Sequence, residues 1–184
     1  MSTRLARSLR LPKSQRSVAL ETESARDALA DLMGAHDGSH VVFTWNATSA
    51  INLVLKSVFM NGKKVLVSPL EHNAVMRPIA ALAAKTNLKY EVLPCGSDGR
   101  LDMTRVSGLS LDGIALVVIN HQSNVNGVIQ PVDEVRRAFG NVPILVDASQ
   151  SLGSVPVDVE RWGIDFLAFT GHKALLGPTG IGGL

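Results

Sequence analysis

Residues 114–147 read IALVVINHQSNVNGVIQPVDEVRRAFGNVPILVD, and the fold is decided by how this stretch is parsed. Ile114–Ile119 is an unbroken apolar run of strand length. Val132–Phe139 has the spacing of a helix with one buried face, and Pro143–Val146 is a second apolar strand that ends at Asp147. Strands that are continuously apolar, rather than alternating, belong to a parallel sheet covered on both faces.

The same rhythm extends outward in both directions. Residues 21–33 place Ala25, Leu29, Leu32 and Met33 at helical spacing before Gly34 stops the helix. Val41–Thr44 is a short strand, residues 48–60 are helical through Ile51, Leu55, Val58 and Phe59, and Asn61-Gly62 closes that helix. Lys64–Val67 is a strand, Ala74–Ala84 a helix, Leu88–Leu93 a strand and Asp102–Val106 a short helix; Phe166–Phe169 is the last strand. Strand–helix alternation of this kind predicts one α/β domain: a mainly parallel sheet with helices on both faces.

Composition narrows the function. The chain has 184 residues, a net charge of +2 and 4% aromatics, with no dense basic run after residue 20, so a nucleic-acid partner is not expected. Its single cysteine, Cys95 in the turn PCGSDGR, excludes an internal disulfide and reads as an incidental thiol. No apolar stretch is long enough to span a bilayer, which leaves a cytoplasmic protein as the expectation. Residues 1–20 carry Arg4, Arg7, Arg10, Lys13 and Arg16 with no acid before Glu21. They form either a disordered basic arm or a presequence for mitochondrial import, and residues 21–184 form the domain. No Walker or nucleophile-elbow motif occurs; GPTGIGG follows the last expected strand and opens no helix. His36 and His40 flank a loop and do not predict a metal site.

Ligands in open parallel sheets sit beyond the carboxyl ends of the strands. Five polar groups stand there: Asn46 to Ser49, Glu71 to Asn73, His121 to Gly127, Asp147 to Gln150, and Thr170 to Lys173. A buried Asp147 calls for a cationic partner, and Lys173 beyond the next strand has the opposite need. Pyridoxal 5′-phosphate (PLP) satisfies both, with a protonated ring nitrogen for Asp147 and a carbonyl carbon for Lys173. To act as a nucleophile the amine must shed its proton, which desolvation and a nearby cation such as His172 favour. Asn46-Ala47-Thr48-Ser49, between a strand and a helix, offers amides, a hydroxyl and a helix dipole to a phosphate, and the His72 imidazole can stack on a planar ring. Taken singly, each has a duller use: Asp147 as a turn cap, Thr48 and Ser49 as a helix N-cap, His72 as a structural histidine, Lys173 as a solvated charge. Their shared placement at successive strand ends favours the site.

The segments EHNAVMRPI (71–79), HQSNVNGVIQPVDEV (121–135), VDASQSLGSVPVDV (146–159) and FTGHKALLGPTGIGGL (169–184) resemble the class V aminotransferase superfamily, and within it the cysteine desulfurases. The resemblance implies the PLP-binding large domain of a fold-type-I enzyme, ending after the PLP lysine and without the C-terminal small domain. It implies catalytic roles for Lys173, as the Schiff-base lysine, and for His72, stacked on the ring. Asp147 would meet the pyridine nitrogen, Gln150 the phenolic oxygen, and Asn124 the substrate or ring oxygen. Thr48, Thr170, His172 and the Ala47 amide would hold the phosphate. The activity implied converts cysteine to alanine and a protein-bound persulfide, in sulfur metabolism and iron–sulfur cluster assembly, by a homodimer with a sulfur-acceptor protein. The family's sulfur-accepting cysteine and carboxylate-binding arginine lie beyond the matched segments, so this chain alone is expected to be catalytically incomplete. Two alternatives stay open: another class V aminotransferase, epimerase-like protein or lyase, and a non-catalytic fold remnant serving as a dimerisation module.

Overall fold

The computed structural model describes residues 12–58 and 62–184. Helix α1 (Lys13–Met33) is followed by a 3-10 turn (Gly38–His40), β1 (Phe43–Thr44) and α2 (Ala47–Ser57). Next come β2 (Lys64–Val67), α3 (Asn73–Ala83), β3 (Lys89–Val92) and the short α4 (Met103–Val106). The second half holds β4 (Ile114–Asn120), α5 (Val132–Phe139), β5 (Ile144–Asp147), α6 (Val159–Trp162), β6 (Phe166–Thr170) and β7 (Gly182–Gly183).

The strands form one sheet in the order β1-β7-β6-β5-β4-β2-β3. β3, β2, β4, β5 and β6 run parallel, whereas β7 is antiparallel to both β6 and β1. Their side chains alternate between two cores. Val65, Val67, Leu116, Val118, Leu145 and Ala168 face α2 and α3, meeting Ala50, Ile51, Val54, Leu55, Val75 and Ile79. Leu66, Val117, Ile119, Ile144, Val146, Leu167 and Phe169 face the other layer, where Met33 of α1 and Val132, Val135 and Phe139 of α5 cover them. A sheet with an apolar surface on both sides needs both layers, which is why its central strands carry no polar alternation.

Several boundaries differ from the expectations. Helix α1 starts at Lys13, so residues 13–20 of the basic arm are helical; residues 1–11 lie outside the described residues. Ala19, Thr22, Arg26 and Leu29 are part-buried along one face of the helix, full burial is reached at Ala30 and Met33 while Leu32 is exposed, and Gly34 terminates it at φ 65°. The described part of α2 ends at Ser57, and residues 59–61, including most of its expected closure, lie outside the described residues. β3 is not buried: all four residues are exposed because it is the sheet's edge, and Lys64 pairs with Glu91 at 2.9 Å across β2 and β3.

Phe166–Thr170 is not the last strand, since Gly182-Gly183 forms β7 between β6 and β1. Glycine pairs carry no strand signal, yet here they are a steric requirement. A Cβ on Gly182 would lie 2.5 Å from the Phe169 carbonyl oxygen and 2.6 Å from Asn46 Cα, both of them backbone atoms. Close approach of three chain segments therefore selects glycine. Gly182→Ala is expected to lower stability by about 1–3 kcal/mol, the usual cost of overpacking. Gly113→Ala, at φ 71° in open space, should cost only the left-handed backbone term of roughly 1–2 kcal/mol. Urea unfolding of both variants would measure the two, and the proposed role of β7 requires that Gly182→Ala also disturb the Asn46 cap, read by amide hydrogen exchange at Ser49.

Candidate active site

The carboxyl ends of β2, β4, β5 and β6 meet the N-terminus of α2 around a cavity of about 270 Å³. It lies close to the lower end, ~300 Å³, of small-molecule sites. All the site residues expected from the sequence line it: Ala47, Thr48, His72, Asn124, Asp147, Gln150, Thr170, His172 and Lys173. Asn46, Ala74, Asn120 and Ser149 complete the wall.

Each side chain is delivered by local structure. Asp147 ends β5 two residues after Leu145, and strand alternation turns both to the α2–α3 face. It is only 4% exposed, and Oδ1 accepts from the Ser149 amide at 2.9 Å and from the Ser149 hydroxyl. His72 caps α3, its Nδ1 accepting from the Ala74 amide at 3.1 Å, so the neutral ring carries its proton on Nε2. Thr170, buried at the end of β6, lies 3.0 Å from His172 Nδ1. Asn124 rides a loop closed by three backbone bonds: Ser123 N–H to Val128, Gly127 N–H to Ser123 and Gln130 N–H to His121.

The helix cap is Asn46 and not Thr48 or Ser49: Asn46 Oδ1 accepts from the Ser49 amide at 2.9 Å. The Ala50 amide bonds the Asn46 carbonyl. The Ala47 and Thr48 amides, with the Thr48 hydroxyl, remain at the helix end on the cavity wall. Lys173 belongs to the loop joining β6 to β7, which folds onto itself through Leu176 N–H to Lys173 O and Gly177 N–H to Gly171 O. Gly153 allows the preceding turn to pack against this loop, since a Cβ there would meet the Ala174 backbone at 3.0 Å.

Three other clefts are larger: those of about 570 and 650 Å³ have mainly apolar linings, including Met33, Val41 and Leu167 in one and Val18, Phe43 and Trp45 in the other, and that of about 530 Å³ is lined only by the consecutive residues 84–87. Convergent polar groups, not volume, single out the smaller one. Cys95 is half-buried in its turn and does not line it. His36 lies 3.1 Å from Glu160, away from the site.

A family model for class-V aminotransferases matches residues 7–184. The chain belongs to the class-V aminotransferase family. Among curated class-V relatives, it is 38% identical over 165 residues to the probable cysteine desulfurase of Pyrococcus abyssi, covering 87% of this chain and 41% of that protein. The apo structure of the cysteine desulfurase from Thermococcus onnurineus NA1 superposes with a TM-score of 0.87 at 35% identity, over 94% of this chain and 44% of that one. SspA, solved in complex with cysteine, matches with a TM-score of 0.82 at 26% identity, over 95% of this chain and 51% of that one. The chain therefore spans well under half the length of its curated class-V relative, and its α/β fold is that of the family's large domain.

Two residues at the site were given no role by the sequence reading. Asn120 lines the cavity because β4 runs one residue further than its apolar pattern. Glu71 reaches under the wall instead of into the cavity: its Oε1 accepts from the Ser68 hydroxyl at 2.6 Å and the Asn120 amide at 2.7 Å. The sequence placed it among the polar residues that follow a strand but did not show that it turns into the wall.

His121, one of the strand-end polar residues, is not in the site. Its imidazole packs on the opposite face, edge-on to Trp162 at 5.0 Å between ring centroids, 3% exposed and with Nδ1 unpartnered among the described residues. Burial pushes its pKa from 6.5 down to about 4. The unfolded chain thus binds a proton that the fold rejects, so this contribution is intact above pH 6.5 and is lost as pH falls towards 4. His121→Phe should remove that acid-side loss, so the melting temperature of the wild type relative to the variant should drop across this window. A pH-independent difference would contradict a neutral buried imidazole.

Proposed function

We propose that this chain holds PLP in the cavity at the carboxyl edge of its sheet, as the cofactor-binding portion of a cysteine desulfurase. The observation that carries the reading is the arrival of Asp147 and Lys173, from the ends of two adjacent parallel strands, on the wall of one cavity capped by a helix N-terminus.

The donor set fits the cofactor on its own chemistry. A carboxylate of 4% exposure, bonded only through Oδ1 among the described residues, suits a cationic ring nitrogen. The free amides at the start of α2, the Thr48 hydroxyl and the Thr170–His172 pair suit a phosphate monoester. His72 would lie against the ring, Gln150 and Asn124 would bond its oxygen or the substrate, and Lys173 would take the aldehyde carbon. When bound, PLP supplies the electron sink that loosens bonds at the α-carbon of an amino acid. Asp147 would hold the ring nitrogen in its protonated form, Lys173 would carry the α-proton, and His72 would orient the ring.

Cysteine as substrate, with alanine and a persulfide as products, rests on the resemblance to cysteine desulfurases. So do a homodimer, a sulfur-acceptor partner and a role in iron–sulfur assembly. A cytoplasmic setting is supported by the single cysteine.

PLP added to the purified chain should give a yellow protein, and borohydride reduction should leave the label on the peptide containing Lys173. Lys173→Ala should stay colourless, and Asp147→Asn should weaken PLP binding by about tenfold or more, as for loss of a charge-assisted bond. A chain with no colour and no label would overturn the reading and favour a fold remnant. If the chain is yellow, formation of keto acid rather than alanine from cysteine would favour another class-V activity.

A further inference from the structure

Glu71 closes the connection between β2 and α3. Its stem is half-exposed, but its carboxyl tip points inward. Oε1 takes both bonds, from the Ser68 hydroxyl at the end of β2 and the Asn120 amide at the end of β4. Oε2 is buried with no partner among the described residues. The side chain thus ties together two strand ends whose next groups face the cavity: His72 adjacent in the chain, and Asn120 itself, whose Nδ2 donates to the Leu70 carbonyl at 2.7 Å.

We propose that Glu71 is a positioning residue, a carboxyl clamp that sets His72 and Asn120 on the cavity wall; its bearing on the cofactor rests on reading that cavity as a PLP site.

The geometry says which form does this. The clamp needs an acceptor at Oε1 and nothing more, while a charge would leave Oε2 desolvated and unpaired. Burial, followed by the field of Asp147 at the end of β5, pushes the Glu71 carboxyl up to about 8; the bonds from Ser68 and Asn120 act against this without cancelling it. Around it β2 offers Ser68, with Lys64 at the far end paired to Glu91. β4 offers Asn120, and the His121 ring turns to the opposite face. α3 offers His72, with Arg77 further along, and β5 offers Asp147. His172 and Lys173 stand across the cavity. Glu71 is thus held inside the wall, whereas Asp147 lines the cavity.

The sign follows. The unfolded chain gives up this proton near pH 4.5 and the folded chain keeps it to about 8, so stability falls as pH rises through that interval and levels off above it. Glu71→Gln retains the Oε1 acceptor without a titrating group. In thermal unfolding of the cofactor-free full chain, the wild type should lose ground to Glu71→Gln between pH 5 and 8. The His72 imidazole resonances should stay in place in Glu71→Gln and move in Glu71→Ala. With PLP, affinity should fall about tenfold in Glu71→Ala, and the ratio of wild-type to Gln-variant affinity should decline above pH 8. A pH-independent difference in melting temperature, or a Glu71→Ala chain with unmoved His72 resonances and wild-type PLP affinity, would overturn the clamp. If neither wild type nor variants take up PLP while the first two results hold, the PLP reading fails and the clamp stands.

Discussion

A carboxylate buried at the end of a strand is the constraint around which this molecule is arranged. Asp147 follows Ile144, Leu145 and Val146, all fully buried, and is itself only 4% exposed, opening onto the cavity that it lines. Ser149 satisfies one oxygen. The cavity in front of it carries His172 and Lys173 on the same wall. A carboxylate this buried is costly unless a cation faces it, and that cavity is the space where one can stand.

Parallel strands deliver their carboxyl ends, and with them their first loop residues, to one edge of the sheet. Here that edge collects His72, Asn120, Asp147 and Thr170 from four neighbouring strands, while α2, packed on the same face as Leu145 and Ala168, brings its N-terminus to meet them. The antiparallel return of β7 then pins the loop carrying Lys173 between β6 and the strand that precedes α2. The glycine pair of β7 makes that return possible by letting its backbone lie against Phe169 and Asn46. The amine, the acid and the helix end are thus tied to one another through backbone contacts.

Two acids share this edge and are held differently. Asp147 has a bonded oxygen and a cavity in front of it, whereas Glu71 has a bonded oxygen and a buried one without a partner among the described residues. Desolvation, with the field of Asp147 added, raises the Glu71 carboxyl, so that Asp147 lines the cavity while Glu71 is held inside its wall.

Local sequence was enough for the alternation of elements, because buried parallel strands such as Ile114–Asn120 and Ile144–Asp147 are apolar throughout and the helix between them buries one stripe. It was also enough for most residues of the cavity, Asn120 excepted, because polar groups that follow such strands gather at one edge of the sheet. Sequence failed where the deciding contact lies far along the chain. β7 is two glycines whose meaning is the approach of Phe169 and Asn46, the cap of α2 is chosen by backbone geometry, and β3 is exposed because no strand lies outside it. His121 and Glu71 show the same limit. Each follows or adjoins a strand end, but which face of the sheet its side chain enters, and whether its polar atoms find partners there, is fixed only when the strands pair.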